Sequence, residues 1–485
     1  MIQKYFPYKK PREGQIQTIK NIINAINENN YKYICLDAPT GYGKTAIAQT
    51  INNYYTQEQE YQTYIITSTK ILQDQYKILT ENNKFKINYK IAKGKTNYHC
   101  KKHNTTADKC KDKQCQYKNN SKNQEYNNGC EYWNSKIKAI QSDTALLNYN
   151  LKIADTYYQI NHYKMRNLAI LDEAHNIENA ITNTLTLKIP NNTYTEENLQ
   201  EKLKNIKTKN TTLKNQIQNT LPLIEENPDN WTITQTENTT TIKPTYIQEY
   251  TKDLLLKPTA QITIFMSGSF IETNQFLKDL GINDDVYIEK TTNNFNLAKN
   301  NPIIIDTAGN MSWNAKQETI PKTYTKIQEI LNKHPKEKGI IHTHKKEYTK
   351  NIIKHFKNTK YKNRITENIE EFKKSTQPLI LISHNIQEGI DFKYDQCRFQ
   401  ILYKAPFPPL NDNQILKRLE YDQDWYCIKT MQKFQQTIGR AMRAKDDYCK
   451  NYLIDSGFYR ILNPENPYLP FEIEESIENH PLYQS

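Results

Sequence analysis

Ala38-Pro39-Thr40-Gly41-Tyr42-Gly43-Lys44-Thr45 follows a short apolar run, Tyr33 to Leu36, and precedes a helix-compatible run, Ala46 to Ile51. Strand, glycine-bearing turn and helix in that order is the setting a phosphate-binding loop requires. Gly41 and Gly43 let backbone N–H groups curl around phosphate oxygens, with Thr40 in the same turn. Lys44 reaches toward the β- and γ-phosphates, and the Thr45 hydroxyl can ligate Mg²⁺, so the expected cofactors are ATP and Mg²⁺.

A second apolar run, Leu168 to Leu171, delivers Asp172-Glu173-Ala174-His175. Asp172 is placed to hold Mg²⁺, and Glu173 to orient or deprotonate the water that attacks a γ-phosphate. An acidic pair after one strand is usually a solvated turn; a phosphate loop upstream makes chance an inadequate account. His175 is expected to relay the nucleotide state.

Further runs recur at Tyr64 to Ile66, Ile262 to Met266, Ile303 to Ile305, Gly339 to Ile341, Leu379 to Ile382 and Tyr452 to Ile454. They lack polar alternation, as strands covered on both faces by helices do, so the chain reads as α/β with parallel sheets. A length of 485 residues exceeds one hydrophobic core. The strands divide into a first domain, 1–295, and a second, 296–485. Two stretches break the rhythm. Residues 95–135 hold almost no aliphatic side chain, and 178–258 turn rich in Asn, Thr and Lys. In the latter, Leu199, Leu203, Ile206, Leu213, Ile217, Leu221 and Ile224 recur at helical spacing, which predicts an amphipathic helix or helical hairpin.

The formal net charge of +13 suits a polyanionic partner, although a lysine-rich solvated surface explains charge alone equally well. No run approaches the ~18 apolar residues of a membrane span. The expectation is therefore a cytoplasmic protein, in a compartment where clustered cysteines serve a metal or redox role rather than disulfides. Cys100, Cys110, Cys115 and Cys130 cluster within the first insert; Cys35, Cys397, Cys427 and Cys449 lie apart. Four thiolates accept either a [4Fe-4S] cluster or a tetrahedral zinc ion, and the gaps of nine, four and fourteen residues leave both open.

In combination these features resemble the XPD/DinG-type superfamily 2 helicases, from about Tyr5 to Asp455. Arg12-Glu13-Gly14-Gln15 resembles the family's adenine-side motif, with Arg12 and Gln15 as nucleotide contacts. Thr67-Ser68-Thr69-Lys70 with Leu72, Gln73 and Gln75 resembles motif Ia, which meets the DNA backbone. Leu147-Asn148-Tyr149-Asn150 also matches, and Met266-Ser267-Gly268-Ser269 stands at motif III, where the family often ends in alanine and threonine. Glu388-Gly389-Ile390-Asp391-Phe392 resembles motif V, with Glu388, Gly389 and Asp391 on the nucleotide side. Gln436-Thr437-Ile438-Gly439-Arg440-Ala441-Met442-Arg443 resembles motif VI, in which Gln436, Arg440 and Arg443 act on the γ-phosphate, the two arginines expected on one helix face. Ala38 in place of the loop's first glycine is a variant that helicases share.

The resemblance implies two RecA-like domains with ATP between them, the first interrupted by an iron-sulfur insert and a small, mainly helical Arch-like insert. Lys93 to Cys100 and Cys130-Glu131-Tyr132-Trp133 resemble the lead-in and exit of the family's [4Fe-4S] site, which decides for iron-sulfur over zinc. Lysines 101, 102, 111 and 113 could track phosphates there, and Tyr117, Tyr126 or Trp133 could stack a base. The implied partners are single-stranded DNA and forked or tailed duplexes, engaged by a monomer moving 5′ to 3′. Two other readings remain, a single-strand translocase with little unwinding and a catalytically silent DNA-binding scaffold; Lys44, Asp172, Glu173 and Arg440 weigh against the second.

Overall fold

The structure is a computed structural model that describes residues 2–81, 85, 87–110, 115–190, 199–206, 208, 210–292, 297–386, 389–442 and 446–478. It forms two units, Met1–Thr291 with Leu410–Tyr421, and Thr292–Pro409 with Asp422–Ser485.

The first unit is built on a seven-stranded sheet in the order Val286–Lys290, Tyr33–Asp37, Ala260–Ser267, Arg166–Asp172, Thr63–Thr67, Thr144–Asn148, Tyr89–Ile91. Every neighbouring pair is parallel. Successive side chains of these strands enter opposite cores, as a two-residue period demands. Ile34, Leu36, Ile170 and Met266 pack with Ile22, Ile47 and Ile51 on one face. Cys35, Leu171 and Phe265 pack with Ile153, Ile177 and Ile181 on the other. Burial on both faces is why these strands read as continuous apolar runs.

The second unit repeats the plan with Ile365–Thr366, Ile380–Ser383, Gly339–His342, Phe399–Leu402, Lys450–Asp455, Ile303–Gly309 and Ile477–Glu478, again all parallel. Phe399–Leu402 escapes the apolar-run reading because Gln400 sits at its centre. That amide is fully buried, 2.8 Å from His342 Nε2, and donates to Asn451 Oδ1 at 2.9 Å. A satisfied polar network there replaces an aliphatic side chain.

Two features add to the sequence reading. The second insert carries the expected helices, among them Leu199–Lys204 and Thr211–Glu226, and beside them a small antiparallel sheet of Leu187–Pro190, Thr239–Pro244 and Trp231–Gln235. Its threonines supply the β-branched side chains a hairpin favours. Secondly, Leu410–Tyr421 falls in the first unit, not with the rest of 296–485. Its helix, Asn413–Tyr421, docks on that hairpin: Asn413 Nδ2 donates to the Ile233 carbonyl at 2.6 Å, and Lys243 pairs with Asp412. Arg418, 1% exposed, pairs with both Glu178 and Asp279, the latter at 2.5 Å. Among the described residues, no helix is long and apolar enough to cross a membrane.

Candidate nucleotide site and cysteine cavity

The three central strands of the first sheet end level with one another. Asp37 pairs in register with Ser267, and Met266 with Asp172. The phosphate loop, the Ser267-Gly268-Ser269 turn and the Asp172-Glu173 pair therefore leave one carboxyl edge, where open parallel sheets bind ligands. The loop is bonded to its neighbour strand through Ala38 N–H to the Ser267 carbonyl at 3.0 Å. Gly41 and Gly43 hold φ of 87° and 94°, the left-handed region in which a side chain is strained. Gly43 hands directly into the helix Lys44–Glu58, whose first-turn N–H groups point at the loop.

Arg12 and Gln15 clamp this loop from outside. The Arg12 guanidinium donates to the Gly41 carbonyl, and Gln15 Nε2 donates to the Tyr42 carbonyl at 2.7 Å. Gln15 Oε1 accepts from Arg12 N–H at 2.7 Å, so both ends of a 2% exposed amide are engaged in shaping the loop. Gly268 presses on it from inside: a methyl there would lie 2.7 Å from Lys44 Nζ and 2.9 Å from the Ala38 carbonyl oxygen. Lys44 Nζ meanwhile donates to that same carbonyl at 3.1 Å.

Asp172 is 2% exposed and held by two tyrosines. Tyr76 O–H donates to its Oδ2 at 3.0 Å, and Tyr149 O–H to its carbonyl at 2.9 Å. Tyr149 belongs to the run matched at Leu147 to Asn150, whereas Tyr76 carries no local signal and is legible only once its helix, Lys70–Glu81, is placed. Gln73, expected near DNA, is fully buried and donates to the Ala92 and Leu146 carbonyls at 3.3 and 3.4 Å. His175 joins the acidic pair to the Ser267 turn: its Nδ1 is 2.8 Å from Ser267 Oγ and 3.4 Å from Glu173 Oε2.

Burial first, and then the Glu173 charge, push the Asp172 carboxyl up to about 7, with Lys44 and Tyr76 opposing. A divalent cation favours the ionised form, so Mg²⁺-nucleotide binding near pH 7 should release a proton from this group. Calorimetric titration in two buffers of different ionisation enthalpy measures it. Release should fade above pH 8 and affinity should weaken below pH 6; Asp172→Asn should abolish the buffer dependence. An unchanged proton count in that variant would reassign the group.

In the second unit, Gln436 lies in the last turn of the helix Gln423–Ile438. The helix ends at Gly439, so Arg440 stands beyond it; Arg443, and with it the helix face expected to carry both arginines, lies outside the described residues, as does Glu388. Arg440 is 7% exposed, and its carbonyl accepts from Phe392 N–H at 3.2 Å, tying the turn to the segment holding Asp391. Gly389 there adopts φ 83°.

Cys100, Cys110, Cys115 and Cys130 line a single cavity of about 200 Å³, with Lys95, Lys101, Lys102 and Lys118 around it. Cys115 and Cys130 immediately precede the helices Gln116–Lys122 and Glu131–Ile140, whose N-termini favour negative charge. Among the described residues, no three His, Cys, Asp or Glu side chains are grouped closely enough to hold one metal ion. Trp133 is packed edge-on against Tyr132 and His162 with Lys118 Nζ 4.8 Å from its centroid, a local packing role rather than an open platform.

Residues 8–213 match the family model described as type III restriction enzyme, res subunit, and 321–466 the helicase C-terminal domain. A probable ATP-dependent helicase of Methanocaldococcus jannaschii is 30% identical over 215 residues, 39% of this chain and 32% of that protein. A regulator of telomere elongation helicase 1 homolog of Caenorhabditis elegans is 32% identical over 89 residues, 15% of this chain and 9% of that one. The matches thus span a third or less of these relatives. A solved XPD helicase superposes with a TM-score of 0.65 at 15% identity, covering 93% of this chain and 97% of that one, and Xpd4 of S. tokodaii gives 0.55 at 15% identity with 93% and 96% covered. Two parallel-sheet units, a phosphate loop level with an acidic pair, and these matches agree: the second unit carries a helicase C-terminal domain, and the chain as a whole has the fold of the XPD helicases.

Proposed function

We propose that the chain is an ATP-driven DNA helicase that translocates on single-stranded DNA and unwinds tailed or forked duplexes, moving 5′ to 3′ as its family resemblance implies. The observation that carries this is the common carboxyl edge of the first sheet, where Lys44, Asp172, Glu173 and Gly268 converge. Lys44 and Thr45 would take the phosphates and Mg²⁺ with Asp172, while Glu173 would receive the proton of the attacking water. Arg440, with Gln436 and Arg443, would supply positive charge to the γ-phosphate. Gly389, Asp391 and Glu388 are assigned beside the nucleotide on motif resemblance, and Arg12 and Gln15 hold the loop in shape.

We further assign a [4Fe-4S] cluster to Cys100, Cys110, Cys115 and Cys130. A tetrahedral zinc would draw its sulfurs to about 3.8 Å of each other. Four thiols spread around a cavity of about 200 Å³ and ringed by lysines suit a larger, anionic cluster better. Bound there, it would act as a structural staple for a segment that, among the described residues, gives no side chain between 95 and 130 to the hydrophobic cores.

Strand displacement on a tailed duplex, run beside single-strand-stimulated ATP hydrolysis, tests the motor. Both activities are expected. Hydrolysis without displacement would favour a translocase, and neither would favour a scaffold. Anaerobically purified protein should be brown and carry iron; a colourless zinc-loaded preparation would overturn the cluster.

A further inference from the structure

The second sheet presents a feature that the ATP site does not use. Its parallel strands bring the ends of Ile303–Gly309, Gly339–His342, Phe399–Leu402 and Lys450–Asp455 to one edge. At that edge the first strand runs into Asn310-Met311-Ser312-Trp313, and Trp313 is 78% exposed. Of the chain's four tryptophans, Trp231 and Trp425 are buried at 1% and 6%, and Trp133 is packed inside its insert. Leaving an indole in water forfeits about 2 kcal/mol or more of burial, which a base stacked on it would recover.

The loop is fixed. Met311 is fully buried, its N–H donates to Asp455 Oδ1 at 3.0 Å, and its carbonyl accepts from Lys404 Nζ at 2.8 Å. The Asn310 carbonyl accepts from Thr319 Oγ1 at 2.8 Å, and Asn310 Oδ1 from Ser312 N–H at 2.7 Å. The backbone that carries the indole is thus held before any ligand arrives, which lowers the ordering cost of binding. Cations lie close by. Lys316 Nζ sits 3.9 Å from the ring centroid. Lys404 Nζ, bonded to the Met311 carbonyl, brings a second ammonium group to the same loop.

We infer that Trp313 is a stacking platform for an unpaired DNA base, with Lys316 meeting a flanking phosphate. An exposed aromatic ring beside lysines is the pairing that binds single strands without reading sequence. A protein-docking hot spot would also use an exposed tryptophan, but hot spots sit in apolar, water-excluding surrounds rather than among ammonium groups. This inference rests on the motor reading and adds to it a contact with the base itself.

Binding without nucleotide tests it, using a labelled oligothymidylate and an abasic oligomer of equal length and charge. Trp313→Ala should weaken oligothymidylate binding about tenfold and leave abasic binding unchanged, while Trp313→Phe should recover most of the loss. Lys316→Ala should weaken both oligomers and flatten the salt dependence. If wild type binds the single strand and Trp313→Ala binds both oligomers equally well, the platform is overturned and the motor stands. If wild type binds neither oligomer and DNA does not stimulate hydrolysis, both readings fall together.

Discussion

Glu173→Gln is expected to lower ATP turnover by about 10²- to 10⁴-fold while nucleotide binding stays within about twofold of wild type. The carboxylate sits at the end of the strand Arg166–Asp172, with backbone at φ 50° and ψ 50°, a conformation that costs a non-glycine residue about 1–3 kcal/mol. It is held there by the residues after it: Asn176 Nδ2 donates to its carbonyl at 3.2 Å, and His175 lies 3.4 Å from its Oε2. Glutamine keeps the shape and can still orient a water, but it cannot take a proton. The lost rate therefore isolates the base from the scaffold. Lys44→Ala would remove the proposed phosphate contact as well, so it should impair binding and turnover together. Single-turnover hydrolysis beside fluorescent-nucleotide titration separates the two patterns. Turnover of Glu173→Gln within threefold of wild type would show that another group accepts the proton.

The parts of this site written in local chemistry were legible in the sequence. Gly41, Gly43 and Lys44 announce a phosphate loop because only those residue types make one, and the acidic pair follows an apolar run on the same sheet edge. The groups that tune the site were not. Tyr76 reaches Asp172 across 96 residues, and Gly268 meets Lys44 only because the strand Ala260–Ser267 is inserted between two others. Strand order is set by long-range packing, which no window of sequence reports. Arg440 shows the opposite case. Gly439 is visible in the sequence as a residue of low helix propensity, and Arg440 stands beyond the helix that ends there. The hairpin Trp231–Gln235 and Thr239–Pro244 was hidden for a compositional reason: threonine serves strands, caps and loops alike, so a threonine-rich stretch carries little period.

Arg418→Ala should destabilise the first unit by about 3–5 kcal/mol, because it leaves two carboxylates buried without their cation. Glu178 and Asp279 are 7% and 9% exposed, and each is carried by a helix trailing one of the motif strands, Ile177–Leu185 and Thr273–Asp279. A guanidinium's planar fork presents separate nitrogens to the two acids, whereas a shorter, more strongly hydrated ammonium must serve both from one atom, so Arg418→Lys should recover only part of the loss. Neutralising all three, as Arg418→Met with Glu178→Gln and Asp279→Asn, should restore most of it, since the cost lies in the unpaired charge rather than in the missing bridge. Two units need not melt together, so calorimetry is the measurement, with the first unit's transition falling by roughly 10 °C in Arg418→Ala. The triad also explains how Asn413–Tyr421 finds its place. The pairings span 240 and 139 residues, and any docking that buries this helix elsewhere strands an arginine without either acid. A lone Arg418→Ala that melts within a degree or two of wild type would mean that the hairpin contacts of Asn413, Asp412 and Lys417 hold the helix by themselves.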